Sequence, residues 1–233
     1  MRSVSVASGQ TGPAIKLPPG TNLIEGTQAG LLLGSSGYFV SSDGYFGGAI
    51  TLWTPGTRPR HLAYVSGSGR WFAADPQLIA YGTGCRPTHY YFVCKMLRVV
   101  NVVTGSRLSF PAPPGTLGWT PRWRPGGPGA ISPRNAMIAV QAATWPARKA
   151  RAELFILRLA DARKQPTAVP QSAAPAGASM AWSPAGSWLF YQDPGGRLRA
   201  LQVATGQIET FGTPIPPDWC CLWEAMFPVP NSP

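Results

Sequence analysis

At 233 residues, 44% of them hydrophobic and 11% aromatic, the chain is long enough to bury a sizeable core as one unit, and its 27 glycines and 26 prolines mark it as turn-rich rather than disordered. It carries 20 Lys and Arg against 9 Asp and Glu, a formal net charge of +11. There is no apolar run long enough for a membrane helix, no apolar core in the first twenty residues of the kind a secretory signal needs, and no sustained helical apolar period, so helix is expected to be scarce.

In chain order the sequence reads as repeated strand groups. Residues 1–20 end in the exit Leu17-Pro18-Pro19-Gly20 and read as the tail of one group. A first full unit, about 21–67, holds apolar runs from Gly30 and from Ala49 and leaves at Val65-Ser66-Gly67. A second, 69–115, runs through Leu78 to Tyr81 and Leu97 to Val103, turns at Thr104-Gly105, and leaves at Pro113-Pro114-Gly115. A third, 116–177, holds Ile131 to Ala143 and Glu153 to Lys164, with extra segments at 119–129 and 144–152. A fourth, 178–217, has Ser183-Pro184-Ala185-Gly186 before the run Trp188 to Tyr191, Pro194-Gly195-Gly196 before Leu198 to Val203, and Thr205-Gly206 after it. Pro76, Pro133 and Pro184 each precede the second strand of their unit, 57 and 51 residues apart. Multi-stranded repeats of about 40 to 50 residues are the mark of a β-propeller. The expected fold is therefore all-β, a single propeller domain over 1–233 with four recognisable blades. Partial strands from 1–20 and 218–233 would complete a five-bladed closed ring, or the chain is a fragment of a larger ring with further blades or an anchor upstream.

The strings AWSPAGSWLFY from Ala181 and ISPRNAMIAV from Ile131, each with its later strand, turn and strand, resemble the Ser-Pro-Asp-Gly element of TolB-like and WD-repeat-like propellers. The resemblance covers about residues 21–212. The usual Asp-Gly turn stands here as Ala185-Gly186 and Arg134-Asn135, and no Trp-Asp dipeptide closes a third strand. What the resemblance implies is a non-catalytic binding scaffold of TolB-like type, presenting loops to a protein or an anionic cell-envelope partner. The alternative is an accessory or gating propeller of a larger hydrolase, a peptidase or glycan-active enzyme, whose catalytic part lies elsewhere.

Charge is distributed unevenly. From Pro76 to Ala152 there is no acidic residue, but there are Arg86, Lys95, Arg98, Arg107, Arg122, Arg124, Arg134, Arg148, Lys149 and Arg151. An anion-facing surface would present such a stretch. A GC-rich coding bias toward Arg, Ala, Gly and Pro would produce it too. If a patch exists, Arg122, Trp123, Arg124, Arg148, Lys149 and Arg151 form it, because they fall in the extra segments of the third unit, where loops carry function. No nucleic-acid-binding module or interleaved aromatic and basic signature occurs, so a nucleic-acid partner is not expected.

Cys85 and Cys94 flank the loop between two strands of the second unit, where a hairpin can bring them to bonding distance. A disulfide there implies an oxidising, extracytoplasmic compartment. Reduced thiols are the second reading. A metal site is the third, with His89 between the two Cys but no Cys-x-x-Cys pair. The pairing of Cys220 and Cys221 stays open.

Catalytic signals are sparse. His61 and His89 are the two histidines, with no Gly-x-Ser-x-Gly elbow, phosphate loop or dinucleotide fingerprint. His61 reads as a rim residue. Asp43, Asp75, Asp161, Asp193 and Asp218 sit beside Gly, Pro or Ala, where Asx turns account for them. No catalytic residue, cofactor or metal is expected. Trp182, Trp188, Phe190 and Tyr191 read as packing between blades, and Trp119, Trp123, Trp145, Trp219 and Trp223, in or near loops, as candidates for a surface site.

Overall fold

The computed structural model describes residues 2–4, 11–27, 29–35, 45–74, 77–88, 92–120, 131–134, 136–144, 151–160, 165–175 and 180–214, and every regular element among them is a β-strand. Strands β1 (Arg2–Val4) and β2 (Thr11–Ala14) pair with each other. The first blade is the antiparallel meander β3 (Thr21–Thr27), β4 (Gly30–Ser35), β5 (Tyr45–Trp53) and the start of β6 (Arg60–Ala74). The end of β6 opens the second blade, followed by β7 (Leu78–Pro87), β8 (Phe92–Asn101) and β9 (Arg107–Pro111). The third is β10 (Thr116–Thr120), β11 (Met137–Thr144) and β12 (Arg151–Arg158), edged by β13 (Thr167–Ala168) and β14 (Ala174–Pro175). The fourth is β15 (Met180–Trp182), β16 (Trp188–Gln192), β17 (Arg197–Gln202) and β18 (Ile208–Pro214).

The turns are built alike because their residues are. In the third and fourth blades the Ser of Ser-Pro accepts, through its hydroxyl, the N–H of the first residue of the next strand: Met137 to Ser132 at 3.0 Å and Trp188 to Ser183 at 3.1 Å. The same serines donate their own N–H to Met137 and Trp188 carbonyls at 2.9 Å. Both are buried, so these bonds are required rather than ornamental. After the third strand, Gly105 (φ 75°) and Gly206 (φ 77°) take the left-handed conformation that a Cβ would strain, and donate to Asn101 and Gln202 carbonyls at 2.8 Å.

One further bond sets the three blades in register. The N–H groups of Val102, Leu159 and Val203, each just past a third strand, donate to the carbonyls of Gln77, Ala136 and Ser187, each just before a second strand. Counting from there, Ile79, Ile138 and Leu189 correspond, and they pair across the sheet with Val100, Leu157 and Leu201. Each of these pairs packs on the preceding blade. Ile79 and Val100 join Leu32, Ile50 and Leu62. Ile138 and Leu157 join Leu97 and Phe110. Leu189 and Leu201 join Leu154 and Val169.

The alternate set points the other way: Ala80 and Val99 meet the third blade, and Ala139 and Ile156 the fourth. The second and third sheets therefore bury both faces between neighbours, which is why their strands read as continuous apolar runs instead of alternating ones. Burying each such Leu, Ile or Val contributes about 1.5 to 3 kcal/mol. Consecutive meanders stacked face to face in chain order are the architecture of a β-propeller. Among the described residues no strand pairing links the fourth blade back to the first.

Two features depart from expectation. Strand β6 runs unbroken through Val65-Ser66-Gly67, where an exit was expected, and its pairing passes from β5 to β7 at Arg70. Trp119 is not a surface aromatic. It is fully buried in β10, its indole N–H donating to the Phe110 carbonyl at 3.0 Å and its ring set edge-on to Phe155. Gly118 permits this approach, since a Cβ there would stand 2.9 Å from the Cys94 carbonyl oxygen.

Candidate binding site

Of the residues expected to form a basic patch, Arg122, Trp123, Arg124, Arg148 and Lys149 lie outside the described residues, and Arg151 opens β12 with its backbone opposite Pro175. The other members of the acid-free stretch, Arg86, Lys95, Arg98, Arg107 and Arg134, are all exposed. Two arginines lace the first blade to the second, in opposite directions. Arg60 donates to the Val102 carbonyl, and Arg107 donates to the Leu62 carbonyl at 2.7 Å.

Between the second and third blades the corresponding space is a cleft of about 410 Å³. Its apolar floor is Leu78, Val99, Leu108 and Leu159, and its polar rim is Gln77, Asn101, Ser106 and Arg134. Among the described residues that line it there is no acidic side chain. Asn101 spends its Oδ1 on the N–H groups of Val103 and Thr104, both at 2.9 Å, which leaves its amide NH2 as the donor. Ser106 Oγ accepts from the Thr104 hydroxyl at 2.9 Å, so its own hydroxyl hydrogen is left to donate. Arg134, exposed on the Ser-Pro turn of the third blade, forms no ion pair with any described acid. The rim is thus rich in donors above an apolar floor, which suits a ligand that carries acceptors and some apolar surface.

The sequence picks out Arg134 only as one of the basic residues. Its cleft partners come from three other turns and strand ends far apart in the chain, and they meet only through the turn register described above.

Elsewhere, Cys85 and Cys94 are disulfide-bonded, directly opposite each other in β7 and β8 and buried against the third blade. Gly84, next to Cys85 in β7, takes φ 62°, and Ala80 and Cys85 belong to the same core. His89, Cys220 and Cys221 lie outside the described residues, and His61 is exposed on β6. Among the described residues no three His, Cys, Asp or Glu side chains gather as a metal site.

Asp193 performs the Asx-turn duty expected of it. Its Oδ1 accepts the N–H groups of Gly195 at 2.8 Å and Arg197 at 3.0 Å, and its Oδ2 accepts from Arg199 Nε at 2.9 Å. Burial pushes this carboxyl up, but the Arg197 N–H, the Arg199 guanidinium and the Gly195 N–H outweigh it and hold the carboxyl below its ordinary value. Tyr191 donates to the Pro170 carbonyl of the third blade at 3.0 Å, and burial chiefly, countered in part by Arg199, raises its hydroxyl above the ordinary value. These groups hold a turn and a blade junction. Asp43, Asp75, Asp161 and Asp218 lie outside the described residues.

No protein-family model matches the sequence, and no curated protein matches it. Among solved structures the chain is similar to the tricorn protease, at 12% identity and a TM-score of 0.47 over 91% of this chain and 20% of that one. It is also similar to Kluyveromyces lactis Hsv2p, at 13% identity and a TM-score of 0.43 over 81% of this chain and 51% of that one. A third likeness is to a chain of the mitotic checkpoint complex, at 10% identity and 0.42, over 85% and 53%. The chain thus spans from a fifth to about half of these chains. At such scores the fold rests on this chain's own strand pairing and face-to-face packing.

Proposed function

We propose that this chain is a non-catalytic propeller scaffold, TolB-like in type, that holds an acidic segment of a protein partner in the cleft between its second and third blades. The observation that carries this reading is the cleft's lining: donors from Arg134, Asn101 and Ser106 over Leu78, Val99, Leu108 and Leu159, with no acid among the described residues that line it. A peptide with carboxylates and one or two apolar side chains matches both features. Arg134 pairs with a carboxylate and the apolar floor takes a neighbouring side chain. The Cys85–Cys94 disulfide supports an oxidising, extracytoplasmic setting for this binding.

The test is fluorescence anisotropy with a labelled peptide alternating Glu and Leu, set against a Lys and Leu control. Binding of the acidic peptide should weaken as salt rises. Arg134→Glu should weaken it about tenfold or more, since it replaces a charge-assisted pair by repulsion, with the melting temperature unchanged. Equal affinity of wild type and R134E for the acidic peptide, or affinity that ignores salt, refutes the reading.

A further inference from the structure

Arg60, which opens β6, and Arg107, which opens β9, are both exposed, yet the guanidinium of each is held in place. Arg60 donates through Nη2 to the Val102 carbonyl, and Arg107 through Nη2 to the Leu62 carbonyl at 2.7 Å. Among the described residues neither guanidinium makes a further hydrogen bond or an ion pair. A guanidinium carries five N–H donors in a rigid fork, so each keeps most of its donors for a ligand. An arginine already fixed by a backbone carbonyl also loses little side-chain freedom when a carboxylate arrives.

Their place relative to the cleft gives these donors a use. The turn from Asn101 to Ser106 belongs to the second blade, and both of those residues line the cleft that Arg134 of the third blade borders. On its other side the same turn meets Arg60 of the first blade, which binds Val102 and whose Nη1 would stand 3.4 Å from a Cβ on Gly105. A single turn therefore separates Arg134 from Arg60 and Arg107, and within it Val103 is 51% exposed. Stacked sheets lie about 10 Å apart, so the junctions on the two sides of one blade are about 10 Å apart as well. An extended chain rising about 3.3 Å per residue covers that distance in about three residues.

Resting on the cleft as the seat of an acidic segment, we propose that the partner segment is extended and continues past the cleft, over the turn at Val103, to a second carboxylate station made by Arg60 and Arg107. The first carboxylate pairs with Arg134, the chain crosses Val103 with an apolar side chain, and a second carboxylate about three residues further on meets the Arg60 and Arg107 guanidinium groups. The partner is thus recognised by the spacing of its acids as well as by their number.

Fluorescence anisotropy with three labelled peptides tests this: a short one with one Glu and a neighbouring Leu, a longer one with two further Glu about three residues on, and the longer one with those Glu replaced by Gln. The longer acidic peptide should bind about threefold or more tighter than the other two. Arg60→Gln together with Arg107→Gln should abolish that advantage and leave the short peptide's affinity unchanged, and each single variant should abolish part of it. Arg134→Glu should weaken all three peptides. An advantage that is absent in wild type, or that survives the double variant, overturns the proposal while the cleft reading stands on the short peptide. An oligonucleotide of equal charge that binds as tightly as the longer peptide, with the same loss in the double variant, overturns it as well. Failure of all three peptides to bind overturns both readings.

Discussion

Replacing Asp193 perturbs the hairpin between β16 and β17 through three bonds to a nearly buried carboxylate, which is 5% exposed. In Asp193→Ala the N–H groups of Gly195 and Arg197 and the Arg199 guanidinium lose their acceptor together. A hydrogen bond to a charged group contributes about 1.5 to 3 kcal/mol, and the three are not additive because water reaches some of the freed donors, so the expected loss is about 3 kcal/mol. In a domain of this size that lowers the melting temperature by roughly 6 to 12 °C. Asp193→Asn keeps an acceptor for the two backbone N–H groups but removes the charge, and should cost about 1 to 2 kcal/mol.

The carboxyl's value is depressed in the folded state, so its stabilisation is complete above the unfolded-state value, near 4, and is lost as pH falls through the lower folded value. The gap between wild type and Asp193→Asn should accordingly be constant at neutral pH and close in strongly acid solution. Urea unfolding of both proteins across that range measures it. A loss below about 0.5 kcal/mol for Asp193→Ala, within the range of ordinary surface changes, would refute the reasoning. So would a gap that persists unchanged at the lowest pH.

Two further outcomes follow from the core. Intact-mass analysis after alkylation without reductant should find Cys85 and Cys94 unmodified, and Cys85→Ser with Cys94→Ser should lower stability by about 2 to 3 kcal/mol through the freed loop, measured by urea unfolding; alkylation of both thiols in protein purified under oxidising conditions would count against the bond. Trp119→Phe, which removes the indole donor to Phe110 and leaves a void against Phe155, should cost about 2 to 4 kcal/mol by the same measurement, whereas a tryptophan at a surface site would tolerate the change within about 0.5 kcal/mol.

What the sequence determined by itself is local. Ser-Pro and Thr-Gly turns recur at a regular interval because a proline that fixes φ, a serine hydroxyl that caps the returning N–H and a glycine at positive φ are each required where they stand. The apolar runs between them mark strands, and Asp193 reads correctly as a turn residue on its neighbours alone. Cys85 and Cys94 are legible as a hairpin bridge because their spacing is short enough for one turn to bring them opposite. The tertiary structure decided everything that depends on which face meets which neighbour. A strand buried on both sides has no polar alternation to reveal which residues face forward and which back, so the blade junctions, the burial of Trp119 and the uninterrupted β6 were not readable. The cleft at Arg134 is hidden for the same reason: its walls come from turns of two blades, and only the packing of one sheet on the next sets the distance between them.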